Sequence, residues 1–416
     1  MATGSTTRNL RRRNRAAVLR KLLRDGETTR GQLASALSLS PATVTNVVAD
    51  LMSEGLVHET GSLPSDGGRP TTTLSIRPDG AYFIGADVGE HGVTVELFDL
   101  SLTPRSAVFR DVPSRSVGPI EISQALNTAI AEAVEAAGSP TNIYGVGFGM
   151  PGIVESARTP DGTRTITIHA QSLNWPSTSL DAIYGRDDIP IFADNGGKTL
   201  AMAEIWFGAA RDVNNGVVAL LGRGIGLGII SDGRILEGAA SSAGEWGHTK
   251  VSIGGPICNC GSRGCLEAYV GGGGIARRWR ETGAEPSSNE EIAIGELLDA
   301  VALGDAAATR VLDETIEILG LGLSNLVNLL NPERIVLGGW AGLRLAENHL
   351  DAITSATKST SLRRPSAQFD LVSSTIGRDA IALGAALLAV EKLIETPLPA
   401  AAKDSPDTVT KNRQIA

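Results

Sequence analysis

Cysteine is scarce in this 416-residue chain: there are three, Cys258, Cys260 and Cys265, and all lie in one short stretch, GHTKVSIGGPICNCGSRGCLE. An odd, clustered set argues against a disulfide framework and fits a reducing compartment. Long apolar runs are also lacking, none approaching the roughly 20 residues a membrane span needs. The N-terminus MATGSTTRNLRRRNR has no apolar segment of the kind a secretory signal requires. The expectation is a cytoplasmic chain with no membrane partner. With 42% hydrophobic and 20% charged residues the composition is that of a globular protein, and the length points to two or three domains.

The net charge of −9 is unevenly spread. Residues 1–80 hold eleven Lys and Arg against seven acids, a local +4, so the remainder stands at −13. A basic head on an acidic body suggests that the head alone meets a polyanion, although a solvated basic tail has the same charge. Within the head, Val18, Leu19, Leu22 and Leu23 share one helical face, and Asp25-Gly26 ends that helix. A second short helix reads from Thr29 to Leu37. A third opens at Pro41 with Ser40 as its cap and carries the apolar stripe Val44, Val47, Val48 and Leu51. The stripe leaves Ala42, Thr45, Asn46 and Ala49 on the opposite face with Thr43 at its edge, small and hydrogen-bonding residues suited to the major groove. LVHET and TTTLSI then read as two strands around a Gly- and Pro-rich tip with Arg69 in it, placed to enter a minor groove. These features together predict a winged helix-turn-helix over residues 1–80; the helices alone fit a generic bundle equally well.

From Tyr82 onward apolar strands punctuated by glycine alternate with helices, including one around Ile120–Ala137 and a long one from about Asp305 to Leu330. The pattern is that of an α/β body with a largely covered sheet. Its Gly-rich turns suit phosphate cradles and tight strand turns alike. The cysteine stretch is more specific. His248, nine residues, Cys258-x-Cys260, four residues and Cys265 supply one imidazole and three thiolates, a full soft tetrahedral set. With all four positions taken by protein, this reads as structural zinc.

Glu245-Trp246-Gly247-His248 and Cys258-Asn259-Cys260-Gly261-Ser262-Arg263-Gly264-Cys265-Leu266-Glu267 resemble the zinc and sugar motif of the ROK proteins, which comprise repressors, uncharacterised frames and sugar kinases. The resemblance extends over nearly the whole chain. It implies a winged helix-turn-helix followed by a two-lobed, actin-like (ribonuclease H-like) sugar-kinase body: a first lobe over 81–195 with a C-terminal helix of about 378–394 packing back on it, and a second lobe over 196–377; the tail at 395–416, rich in Pro, Ala and charge, is expected to be mobile on composition. It also implies that Glu245, Glu267, the free ring nitrogen of His248 and Asn195 hold sugar hydroxyls, with Gly152 in the pocket wall.

The kinases of this family carry an Asn-Asp pair in which the aspartate accepts the proton of the attacking hydroxyl. Matching Asp194 and Glu204 to that pattern puts Asn195 on the asparagine and Gly196 on the aspartate. The phosphate turns depart as well: Glu90 stands in the first, Arg223 in the second and Trp340 on the adenosine side. The resulting expectation is a regulator without catalytic residues, most simply a repressor, that binds operator DNA as a homodimer or tetramer and a sugar or sugar phosphate as effector. The alternative is an active ATP-dependent sugar kinase with an appended DNA-binding head. Loss of the aspartate removes a contact to the far end of a hexose, which favours a pentose such as xylose, or admits a phosphate near Arg223.

Overall fold

The computed structural model describes residues 7–63, 70–89, 92–112, 118–159, 164–185, 188–377 and 380–398. Two compact units emerge, residues 1–81 together with 392 onward, and residues 82–391.

In the first unit α1 (Thr7–Asp25), β1 (Thr28–Thr29), α2 (Arg30–Leu37) and α3 (Pro41–Ser53) precede the hairpin of β2 (Val57–Leu63) and β3 (Thr71–Ile76). Local chemistry sets the helix ends. Thr29 accepts from the Gln32 amide while the Gln32 side chain accepts from the Thr29 amide, a reciprocal cap. Ser40 accepts from the Thr43 amide ahead of Pro41. The chain passes from α2 to α3 through Ser38, in the left-handed region at φ 52°. Val18, Leu19, Leu22, Leu33, Val44, Val48 and Leu51 make a dry core. The wing is a three-stranded sheet, because β1 pairs with β3 through Thr28–Leu74 and Thr29–Thr73.

The body contains two five-stranded sheets. The first is built from β4 (Tyr82–Val88), β5 (Gly92–Asp99), β6 (Pro104–Asp111), β7 (Ile143–Met150) and, later in the chain, Ile191–Asn195, with α4 (Pro119–Ala136) packed on β5 and β6. Between β7 and that last strand lie β8 (Ile153–Arg158), β9 (Arg164–His169), β10 (Thr178–Ser179) and α5 (Leu180–Ile183), the strands forming a small sheet of their own. Ile191–Asn195 is β11 and runs directly into α6 (Gly196–Phe207). The second large sheet comprises β12 (Gly216–Leu221), β13 (Ile225–Ser231), β14 (Arg234–Ile235), β15 (Arg334–Gly338) and β16 (Asp370–Ser373). Helices α7 (Glu267–Val270), α8 (Gly272–Glu281), α9 (Glu290–Ala302), α10 (Ala306–Leu330), α11 (Gly339–Thr360) and α12 (Arg363–Ser366) surround its connections.

Both sheets follow one plan. Their orders are β11-β7-β4-β5-β6 and β14-β13-β12-β15-β16, and in each the first three strands in chain order pair antiparallel while the last two add in parallel on the other side of the first. The mixed α/β body is therefore a duplication of a single five-stranded unit.

The last helix, α13 (Ala380–Glu395), packs on bare backbone. A Cβ at Gly85 of β4 would stand 1.9 Å from the Ala382 carbonyl oxygen, one at Gly147 of β7 1.8 Å from that of Ala385, and one at Gly384 1.7 Å from that of Thr199. Only glycine permits such approach. In the first unit the final carbonyls of α13 are capped by Arg15, whose Nη1 donates to Leu393 O at 3.1 Å and Ile394 O at 2.8 Å, and by Arg12 Nε, which donates to Glu395 O at 2.6 Å.

Candidate functional site

The third helix presents its polar face to solvent: Ala42, Thr45, Asn46 and Ala49 are exposed and Thr43 is half-buried. Thr43 sits 2.8 Å from the Ser40 hydroxyl, and Thr45 donates its hydroxyl to Pro41 O at 2.9 Å. Asn46 thus stands out as an exposed amide at the centre of the face. Part of the basic charge of the head is neutralised internally, since Arg11 forms a bidentate pair with Asp50 and Arg30 pairs with Glu59. Arg69 falls outside the described residues, as do Glu90 and His91.

In the body, the turn Glu245-Trp246-Gly247-His248 is fixed from both sides. Trp246 is buried and donates its indole N–H to Gly322 O at 3.1 Å, while Gly247 lies where a Cβ would come within 2.7 Å of Ile225 O. Glu245 and His248 are left flanking a pinned turn. The loop that follows folds back through bridges between Lys250 and Cys265 and between Ile257 and Arg263. Its tip is a tight turn in which the Cys258 amide donates to Ser262 O and the Gly261 amide to Cys258 O.

These turns bring four ligand atoms together, those of His248, Cys258, Cys260 and Cys265, all within 4.8 Å of one another. Cys260 Sγ and Cys265 Sγ are 3.7 Å apart, as are Cys258 Sγ and His248 Nδ1. Zinc–sulfur bonds of about 2.3 Å in a tetrahedron put sulfurs roughly 3.8 Å apart, so the set fits the ion it was read for. Burial pushes the Cys258 thiol up, opposed by the Cys260 amide and reinforced by the Glu267 charge. Cys260 is shifted down: burial opposes this, but the Ser262 amide and the neighbouring thiols outweigh it. A bound cation would reverse the penalty on the buried thiolates. Lys250 Nζ adds a donor to Cys265 Sγ at 2.8 Å.

Nδ1 of His248 faces the thiols, and its Nε2 turns the other way, 4.0 Å from Glu245. His248 also lines a cavity of about 990 Å³ whose wall includes Gly152, Asn195, Gly196, Glu245 and Glu267. The structure therefore gathers every residue assigned to sugar binding into one cleft. Glu267 is held by the Ile225 amide, which donates to Oε2 at 3.1 Å. Burial raises the Glu245 carboxyl above its ordinary range, against the pull of His248. Asn195 caps α6 by accepting from the Gly197 amide at 2.8 Å and donates to Gly152 O at 2.6 Å, so it fixes the pocket wall as well as facing it.

Gly196 is the first residue of α6, and a Cβ there would meet nothing closer than Leu220 at 3.6 Å. The backbone leaves room for a side chain that the sequence omits. On the other side of the cleft the Trp340 indole lies against Gly222, its Nε1 3.2 Å from where a Cβ would be, and against Gly272. Arg223 Nε stands 3.6 Å from Glu290.

Two groups were missed by the reading of the sequence. Lys198 looks like an ordinary helical lysine, yet it is 2% exposed, donating to Ser241 O at 2.7 Å and lying 3.5 Å from Asp194. Gln171, two residues after His169 at the end of β9, donates to Cys260 O at 3.0 Å and so ties the small sheet's connection to the cysteine loop. Spacing carries no signal for the Lys198–Ser241 and Gln171–Cys260 contacts, 43 and 89 residues apart; the Asp194–Lys198 spacing of four is the one local clue.

Comparison with known proteins gives two family matches: the model described as ROK family over residues 83–392, and that described as MarR family over residues 13–63. The chain is 28% identical over 387 residues to the xylose repressor of Bacillus spizizenii, covering 92% of this chain and 96% of that protein. Among solved structures, a ROK family transcriptional regulator, a homolog of the E. coli MLC protein, superimposes with a TM-score of 0.74 at 26% identity, covering 93% of this chain and 97% of that one. A ROK family glucokinase from Streptomyces griseus, in complex with glucose and AMPPNP, gives 0.63 at 25% identity and covers 74% of this chain and 99% of the kinase.

Proposed function

Because the chain belongs to the ROK family, we propose that it is a sugar-responsive DNA-binding repressor whose kinase-like body recognises a sugar without phosphorylating it. One observation carries the reading: a single cleft is lined by Glu245, Glu267, Asn195 and His248, and Gly196 in the same wall offers no side chain to act as a base. The similarity to the xylose repressor and to the ROK regulator runs through the head as well as the body, whereas the glucokinase matches 74% of the chain.

In this reading α3 enters the major groove with Thr43, Thr45 and Asn46, and Arg69 reaches the minor groove. A homodimer or tetramer reads a two-fold operator. The body divides between Asn195 and Gly196 into two lobes with the sugar between them. His248, Cys258, Cys260 and Cys265 hold zinc, which supplies structure and fixes the imidazole tautomer so that Nε2 carries a proton toward the sugar. Glu245 and Glu267 accept hydrogen bonds from the sugar hydroxyls. Trp340 against Gly222 and the missing aspartate together leave a triphosphate neither seat nor reaction partner.

Sugar releases DNA only if it binds the DNA-free state more tightly than the DNA-bound one; affinity alone shifts nothing. A mobility-shift assay with a genomic operator and a sugar panel tests the reading, with release by one sugar class expected. Retention of DNA against every sugar would remove the sensor half of it. The kinase reading requires ADP release with ATP and sugar, and none is expected from the wild-type protein.

A further inference from the structure

The cleft is larger and more acidic than one neutral sugar ring needs. Its volume of about 990 Å³ is at the top of the roughly 300–1,000 Å³ range of pockets for drug-sized ligands, whereas one pyranose has only about a dozen non-hydrogen atoms. Six carboxylates line it, from Asp87, Glu96, Asp111, Glu245, Glu267 and Glu291. Arg223 is the one Lys or Arg among the described lining residues, and Glu290 stands beside it. A phosphate entering this wall would meet a field of its own sign.

The wall also connects two places suited to a sugar. Glu267 is held by the Ile225 amide, and three residues back along the same segment Gly222 supports the edge of the Trp340 indole. Three residues extend at most about 11 Å, and the Gly222 amide bonding to Gly224 O tightens the turn further. The indole therefore lies within the reach of a second ring linked to one seated at Glu245, His248 and Glu267. It offers an apolar surface of the kind that accepts the C–H face of a pyranose. Gly196 lines the same cavity and adds no side chain to it.

We propose that the effector is a neutral oligosaccharide of at least two units, with one ring on the carboxylates and His248 and the next against Trp340, and that Trp340 determines this preference for length. The inference rests on the reading of the cleft as a sugar site. Calorimetric titration of the zinc-loaded full-length protein with xylose, xylobiose, xylotriose, glucose, cellobiose, maltose and glucose 6-phosphate tests it. At least one disaccharide is expected to bind tenfold or more tightly than its own monosaccharide. In Trp340→Ala that advantage falls to threefold or less, and in Trp340→Phe most of it returns, with melting curves confirming that both variants fold. Should Trp340→Ala fail to fold, Trp340→Leu, apolar but without an aromatic face, takes its place, and the same fall to threefold or less is expected. Disaccharides no better than monosaccharides, a disaccharide advantage indifferent to residue 340, or glucose 6-phosphate as the tightest ligand would overturn the proposal while leaving the sugar site standing. Silence from the whole series overturns the sugar reading first and this inference with it.

Discussion

Arg15 and Glu54, 39 residues apart, form a bidentate ion pair with side chains only 5% and 6% exposed, and the same guanidinium caps two carbonyls of α13 while Glu54 also accepts from the Leu398 amide. The basic first helix thus contributes one of its arginines to the interior of the head. Removing one member of such a pair strands a charge, at a cost of about 3–5 kcal/mol. Arg15→Met is expected to lower the stability of the head by that order, read by denaturant unfolding with a probe in α1. A loss below about 1 kcal/mol would mean that the pair is solvated in solution.

The cysteine loop aims His248, so disrupting it should act on sugar rather than on DNA. Cys260→Ser, or removal of zinc by a chelator, is expected to abolish the sugar-induced thermal shift, which reaches about 2.7 kcal/mol at a hundredfold excess over the dissociation constant, while operator binding without sugar persists. Lys250→Met removes the ammonium beside Cys265 and should hasten zinc loss to the same chelator, followed by a colorimetric zinc indicator. Unchanged sugar affinity in Cys260→Ser would detach the loop from recognition.

Burial raises the Asp194 carboxyl above its ordinary value, with Lys198 pulling it back and Glu237 adding to the rise. In the window between the ordinary value of 3.8 and the raised one, the folded state keeps a proton that the unfolded state has lost. This group's contribution to stability is therefore complete below the window and declines as pH rises through it. The stability difference between wild type and Asp194→Asn should fall across that window and be level above it. A difference independent of pH would show the carboxyl to be solvated.

For the DNA face, Asn46 is the residue whose amide is exposed mid-helix while the Thr45 hydroxyl donates to the Pro41 carbonyl. Asn46→Ala is expected to weaken operator binding by about 1–3 kcal/mol and to relax discrimination at one base pair. Thr45→Ala should cost less. Fluorescence anisotropy on operators mutated singly separates the two effects, and equal losses on operator and random DNA would assign Asn46 to the backbone.

Much of this was legible because it is local. The stripe Val44, Val47, Val48 and Leu51, the Ser40-Pro41 start and the extent of α10 from about Asp305 to Leu330 are set by neighbours three or four residues away, and all occur in the structure as read. The clustering of His248, Cys258, Cys260 and Cys265 was legible because their loop is short and their spacing suits a single metal ion. What escaped depends on remote partners. Two residues, Thr28 and Thr29, become a strand only because Leu74 and Thr73 come to lie beside them. Lys198 is buried by a carbonyl 43 residues away, and the shared plan of the two sheets lies in their pairing order, which no single segment displays.

The seating of α13 on Gly85 and Gly147, with Thr199 against its Gly384, has a mechanical consequence. Helices that rest on interlocking side chains can creep, one rotamer at a time. Here backbone meets backbone at three points of the 16-residue helix, and at those points no side chain can adjust. Ile381, near its start, forms part of the cleft wall. A ligand that presses on Ile381 therefore pushes against a helix whose contacts at Gly85 and Gly147 have no side chain to yield.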